Sequence, residues 1–322
     1  MYDYAEHEQF VENIQQCDFY FGFVVVFIYL VVVFYLCRVP PSMRTYALLL
    51  LYSTCWSAIF DILLKVGELL PFFPIPVVAI TGIAADTITG VVLFPLIIFS
   101  LHMTVFSLSN LYSYRLQIIL KTSDFSLKPK FLFILQFNFL LQLSFCVEIF
   151  LVLRYWVFVD DQLKLNLSKG YENLPSVFFT NNSVLMVPLQ DLPRDCFVLG
   201  YATWAVSHDG YILVVLPYLT HFSLKHMSSK MSTKTLAMHK SVLKALIYQT
   251  GIHMGIFGIN VCYFNLTYTG LINTNPTLMA LNIQGLKMHG PISTFSMLLV
   301  HPMILKIVKK DFQRLKGRSV DK

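Results

Sequence analysis

The sequence predicts an all-α fold, a bundle of seven membrane-spanning helices. Three observations carry that expectation: too few charges for a soluble surface, seven apolar segments of bilayer length, and a one-sided distribution of lysine and arginine. Charged residues make up 13% of the 322-residue chain and hydrophobic residues 56%, with a mean hydropathy of +0.63; globular chains carry about a quarter charged residues. That balance excludes most soluble enzyme classes. It also removes nucleic acid as the reason for the net charge of +6, because the basic residues follow the two sides of a membrane.

A window of about 19 residues, the length that crosses a bilayer, places the segments in order. They are Phe19 to Leu36, Tyr46 to Val66, Thr87 to Leu108, Phe131 to Leu153, Phe197 to Thr220, Ser241 to Phe264 and Leu281 to Val300. Continuous apolar runs of this length satisfy their backbone hydrogen bonds internally as helices, whereas barrel strands alternate over roughly ten residues. The whole of 1–322 reads as one seven-span membrane domain, with an extracellular amino end (1–18), a long extracellular loop (154–196) and a cytoplasmic tail (302–322).

Orientation follows from alternate connections, since basic residues flanking spans stay cytoplasmic. Arg38 and Arg44, then Arg115 to Lys130, Lys225 to Lys244 and Lys306 to Lys322 put eighteen of the 24 Lys and Arg on one side. The other side holds Arg154, Lys164, Lys169 and Arg194, and the first 18 residues add five carboxylates and no cation. The amino terminus is therefore expected outside, on an uncleaved first span. The sequons at Asn166, Asn181 and Asn265 all fall on that outer side and are glycosylation candidates. Six cysteines form no CxxC or zinc-type spacing, so no metal or cofactor is expected. Cys17, Cys196 and Cys262 sit at outer span ends, where one bridge or three thiols are both compatible with the spacing.

Ionisable groups at membrane depth are candidates for function, since each costs at least ~2.5 kcal/mol near a helix centre unless paired or hydrated. Asp61 and Lys65 lie one turn apart on the second span and can neutralise each other, with Glu68 next on that face. The fifth span carries His208 and Asp209, the sixth His253, and the seventh Lys287 and His289, so neighbouring helices aim titratable groups at a common interior. Asp209, Asp61 and Glu148 are the partners considered for Lys287. The histidines form no HExxH pattern and suit either core packing or ligand recognition. Pro95, Pro217 and Pro291 and the Gly251-x-x-x-Gly255 pair mark places of kinking and close approach. In the tail, Ile304, Val308, Phe312 and Leu315 share one helical face, while Lys306, Lys309, Lys310 and Arg314 lie largely on others, as in a basic helix resting on an anionic leaflet.

Local motifs narrow the class. LKMHGPISTFSMLLVH, Leu286 to His301, resembles the HG..ST..ML..H segment in the seventh helix of nematode serpentine chemoreceptors, class H of the Str superfamily. Pro41-Ser42-Met43, Ser57 with Asp61, LPFFPIP from Leu70 to Pro76, and Ala245-Leu246 with Gln249 match the same class in order across nearly the whole chain. The resemblance implies a serpentine-receptor-like bundle that binds a small-molecule odorant or other chemical and signals to a heterotrimeric G protein in the plasma membrane of a sensory neuron. No enzymatic activity is expected, since neither paired catalytic carboxylates nor an HExxH pattern occurs. Two departures stand out. Where the family has an acidic-Asn-Arg-aromatic motif at the inner end of the third helix, this chain reads Ser109-Asn110-Leu111-Tyr112, with Arg115 one turn beyond Leu111. After the seventh helix, His-x-Pro-Tyr-Arg is shortened to His301-Pro302-Met303-Ile304.

These readings give a ligand set of Asp61, Lys65, His208, Asp209, His253, Lys287 and His289, and a G-protein side of Arg115, Lys225, Lys230 and Lys306. The competing functions are a membrane transporter and a ligand-gated chemosensory channel. The first fits poorly with an odd span count and no internal repeat, and the second would place the amino terminus inside.

Overall fold

A computed structural model describes residues 4–71, 77–80, 90–121, 157–158, 162, 165–166, 169, 183–185, 211–268, 272 and 276–320. The fourth span, the first part of the fifth with His208 and Asp209, Glu148 and Asn181 lie outside the described residues.

Seven α-helices are present among the described residues: α1 (Tyr4–Cys37), α2 (Arg44–Gly67), α3 (Gly90–Lys121), α4 (Leu216–His226), α5 (Thr233–Tyr268), α6 (Pro276–Val300) and α7 (Pro302–Val320). Four contain stretches long and apolar enough to cross a membrane: Tyr20–Cys37, Arg44–Gly67, Val92–Leu120 and Thr233–Asn260. The helix α6 has the length, 25 residues, but dilutes its apolar character with Asn282, Gln284, Lys287 and His289. α4 overlaps the carboxyl-terminal end of the expected fifth span.

Helix α1 shows why such a helix belongs in lipid. Val25, Tyr29, Val32 and Leu36 recur at helical spacing and are buried, while Phe23, Phe27, Leu30 and Phe34 form the opposite stripe at 56% to 66% exposure. Large apolar groups in such a stripe find their solvent in acyl chains. Prolines 40 and 41 stop α1, and a 3-10 turn at Pro41–Met43 leads into α2. α1 packs between α2 and α6, α2 against α3, α4 between α3 and α5, and α5 against α6.

The third helix runs thirteen residues past the expected end at Leu108. Ser107, Ser109, Tyr112, Ser113 and Arg115 lower the hydropathy of that stretch, but all are buried against neighbouring helices and none needs water. Arg115 therefore belongs to the helix interior and not to a connection. Ahead of α4, a π-helical turn at Tyr211–Val215 absorbs Pro217, which lacks the backbone donor of a regular turn. Ser232 caps α5 by accepting the Thr235 N–H at 3.2 Å.

The fold adds one feature that the helical expectation lacks, a four-stranded antiparallel sheet at the end opposite the lysine-rich connections. Strands β1 (Leu69–Pro71), β2 (Val77–Ile80), β3 (Val157–Phe158) and β4 (Ser183–Leu185) run in the order β1-β2-β4-β3, with Leu69 opposite Ile80 and Val77 opposite Leu185. The strands are two to four residues long, and β2 and β4 pair across about a hundred positions, so no local period announces them. The sheet rests on the bundle: Ile80 is fully buried with Phe60, Leu64, Leu93 and Phe257, and β1 and β4 touch α6 and α3.

At the other end, α7 folds back as the tail pattern requires. His301 separates it from α6, Ile304 is buried in the larger core cluster, Val308 packs against that cluster, and Phe312 stays 69% exposed on the same face. Arg38 at the end of α1 donates to both carboxylate oxygens of Asp311, one of them at 3.2 Å. That hydrogen bond from Arg38 holds the Asp311 carboxyl below the usual carboxylate range and raises the guanidinium in turn. Because the folded state lowers the carboxyl pKa, the clasp is complete above about pH 4 and is lost as pH falls through the lowered value. A spin label at Cys37 and a second at Gln313 should report a short distance at neutral pH, a longer one under acid, and the longer one at neutral pH in Asp311→Asn. An unchanged distance in that variant would remove the clasp from the docking of α7.

Candidate functional site

Three polar layers occupy the bundle interior. The central one joins α1, α2, α5 and α6. The Tyr29 hydroxyl donates to Asp61 Oδ2 at 2.5 Å, and Asp61 Oδ1 lies 3.4 Å from His289 Nδ1, which also meets the Leu286 carbonyl at 3.0 Å. His253 Nε2 is 2.7 Å from the Ser293 hydroxyl, and the two imidazole rings are 5.1 Å apart. Phe257 and Phe60 pack on His289 at 4.3 and 5.2 Å. Asp61 and His289 are essentially sealed from solvent, at 1% and 0% exposure. Taking a carboxylate out of water costs several kcal/mol unless hydrogen bonds replace the lost hydration, and here three other helices supply the polar groups around it.

The seventh-helix motif builds this layer. His289 faces Asp61, Ser293 holds His253, and Thr294 bonds to Tyr29. Gly290 leaves the space that Asp61 and Tyr29 fill, because a Cβ there would overlap the carboxylate and the hydroxyl. Met297 joins the core, and His301 Nε2 lies 3.2 Å from the Tyr46 hydroxyl.

The second layer lies towards the sheet. Lys287 meets Glu68 at 3.9 Å, so a neighbour on the Asp61 face of α2 pairs with this lysine in addition to the partners considered from sequence. Glu68 ends α2 in the left-handed conformation, φ 38°, with its N–H bonded to Leu64 O at 3.0 Å, and strand β1 follows at once. A non-glycine residue there stores about 1–3 kcal/mol of backbone strain and is held by its surroundings. Lys65 lies over the Phe21 ring at 5.5 Å and acts on Asp61 electrostatically from one turn away, but the short hydrogen bond to Asp61 comes from Tyr29.

The third layer lies at the lysine-rich end. Arg115, 3% exposed, stacks its guanidinium 3.8 Å from the Tyr46 ring centre, and Tyr112 donates to Thr250 at 3.0 Å. Arg115 Nε and Nη2 make no hydrogen bond among the described residues. Lys225, Lys230 and Lys306 are exposed at this end.

The structure thus brings together Asp61, His253 and His289, sets Lys65 and Lys287 in the adjoining layer, and separates Arg115 from the exposed lysines. Sequence reasoning missed Tyr29, Ser293 and Tyr46. Tyr29 carried a signal, the one hydroxyl in the run FVVVFIYLVVVF. Among the described residues no group of three His, Cys, Asp or Glu is arranged to hold a metal. Asn166 is exposed, whereas the Asn265 sequon lies within α5 with Thr267 buried and bonded to Tyr263 O at 2.7 Å. Cys262 is a free, exposed thiol.

The family model described as serpentine type 7TM GPCR chemoreceptor Srh matches residues 10–314, nearly the full length. The chain belongs to that family. The match bears out the class H resemblance and makes this Srh protein a member of a family of seven-transmembrane chemoreceptors rather than of enzymes. No curated protein matches it in sequence.

Two substitutions test the central layer of this Srh chain. Tyr29→Phe removes one donor to a buried carboxylate, which should lower stability by about 1–3 kcal/mol. Gly290→Ala should cost more and reduce folded yield, because α6 must retreat from Asp61. Thermal unfolding in nanodiscs measures both; midpoints equal to the parent's would show that this layer does not hold the bundle together.

Proposed function

We propose that this Srh protein is a chemosensory G-protein-coupled receptor of the plasma membrane, with its amino terminus outside and its lysine-rich end in the cytosol. An external small molecule enters at the sheet-bearing end, and the opposite end passes the change to a heterotrimeric G protein. The observation that carries the reading is the central layer itself. Tyr29, Asp61, His253, His289 and Ser293 tie four helices together through a few polar contacts, between the Glu68–Lys287 pair and Arg115 on Tyr46.

A ligand shifts a helix equilibrium only if it binds the two arrangements unequally. Lys65, Glu68 and Lys287, with His208 and Asp209 of the fifth span, are the groups assigned to the ligand. Asp61, His253 and His289, buried like Lys287 but farther from the sheet, serve as the joint that the ligand repacks. Arg115 takes the place of the missing third-helix arginine, and Lys225, Lys230 and Lys306 line the cytosolic face. The charge asymmetry supports this orientation, and exposed Asn166 is the preferred glycan acceptor. The family points to a receptor and to no catalytic step.

Cells expressing the chain with tags at both ends test the proposal. Antibody should reach the amino-terminal tag on intact cells and the carboxyl-terminal tag only after permeabilisation. A panel of volatile and water-soluble odorants should evoke responses that vanish in G-protein-deficient cells. At equal surface expression, Asp61→Asn and Arg115→Ala should each weaken the evoked response at least tenfold. Substrate uptake that persists without G protein would assign the chain to transport, and unchanged signalling in Arg115→Ala would remove Arg115 from the coupling face.

A further inference from the structure

A cleft of about 760 Å³ opens between the lysine-rich ends of α4 and α5. The charged groups of its rim are all basic: His221 and Lys225 from α4, Lys240 and Lys244 from α5, with the Ser228 hydroxyl between them. Its wall is apolar, made by Leu224, Leu243, Ile247 and Tyr248. The sequence supplies no counter-charge from within these helices, for no Asp or Glu occurs between Asp209 and Asp311. Cations held together without carboxylates repel one another and attract a polyanion.

The level of the cleft in the bilayer is marked on both helices. On α4, Tyr218 and Phe222 are exposed and stacked, with ring centres 6.4 Å apart, and Lys225 follows one turn later. On α5, Lys244 reaches over the Tyr248 ring at 5.7 Å, and Tyr248 and Ile247 stand 52% and 43% exposed above it. Aromatic rings followed by lysines mark the boundary between acyl chains and headgroups. A soluble anion would use only the basic rim; the exposed apolar wall running from that rim into the membrane needs an occupant with an apolar part.

We propose that this cleft binds a phosphoinositide of the inner leaflet, its phosphorylated headgroup among Lys225, Lys240 and Lys244 and one acyl chain along Leu243, Ile247 and Tyr248. A singly charged headgroup such as serine's leaves most of the lysine charge uncompensated, whereas a headgroup with several phosphates balances it. The lipid bridges α4 and α5 at the face where the receptor reading places the G protein. The assignment to the inner leaflet rests on the orientation proposed above; binding to the cleft does not.

The full chain in nanodiscs tests it, since both leaflets are then accessible whichever way the receptor faces in cells. Native mass spectrometry should show phosphatidylinositol 4,5-bisphosphate retained at least tenfold better than phosphatidylserine in phosphatidylcholine discs, and retention should fall with salt. Lys225→Gln/Lys240→Gln/Lys244→Gln should lose that preference, while Lys306→Gln/Lys309→Gln/Lys310→Gln in the tail, equal in charge removed, should keep most of it. If the pocket variant folds poorly, Lys240→Gln alone should still weaken retention in the well-folded fraction. Equal retention by parent and pocket variant overturns the proposal. So does displacement of the lipid by inositol 1,4,5-trisphosphate at matched concentration, which would make the site one for free phosphates. Displacement by an acidic peptide would make it a protein-docking site. Tags mapping this end to the outside would sink the receptor orientation while leaving the cleft's binding intact, so the two failures are separable.

Discussion

A carboxylate sealed inside a membrane bundle has to be answered by other polar groups, and in this chain the answer to Asp61 organises the interior. Tyr29 crosses from α1, His289 faces it from α6, and His253 and Ser293 extend the chain of contacts into α5. Lipid tails are as apolar as leucine, so burial alone gives helices little reason to choose one another in a bilayer; close packing and interhelical hydrogen bonds provide the choice. The Asp61 cluster supplies both, because the space left by Gly290 is what lets α2 and α1 bring their polar ends against α6.

The layers on either side differ in kind. Towards the sheet the polar groups are charged, with buried Lys287 and partly exposed Glu68 in a loose pair. Towards the lysine-rich end they are aromatic and cationic, with Arg115 against Tyr46 and His301 closing on the same ring. A buried guanidinium on a tyrosine face is well solvated by the ring yet keeps two nitrogens without acceptors among the described residues. The chain belongs to a chemoreceptor family, and its two ends differ in this polar character.

Much of this was legible from composition. Phe19 to Leu36, Tyr46 to Val66 and Ser241 to Phe264 stand out because uniform apolar runs have one physical use, and helices cover all three. Asp61, His253 and His289 stood out because such residues are costly in lipid. The length of α3 was hidden because hydropathy cannot tell a serine turned inward from one at a membrane surface, and Ser107, Ser109 and Ser113 all turn inward. Tyr29 was easy to pass over for the opposite reason, since its ring reads as apolar and its one signal is the hydroxyl that bonds Asp61. The sheet was hidden because its strands are shorter than any period that reveals strands, and Ala79 pairs with Ser183 from about a hundred positions away.

The junction at Glu68 joins the sheet to this interior without slack. Helix α2 ends at Gly67, one residue turns the chain, and Leu69 already belongs to the first strand. A stiff rod clamped to a plate transmits torque. A tilt of the sheet would therefore reach α2 through a single residue already wound into an uncomfortable backbone geometry, two helical turns from the Asp61 carboxylate.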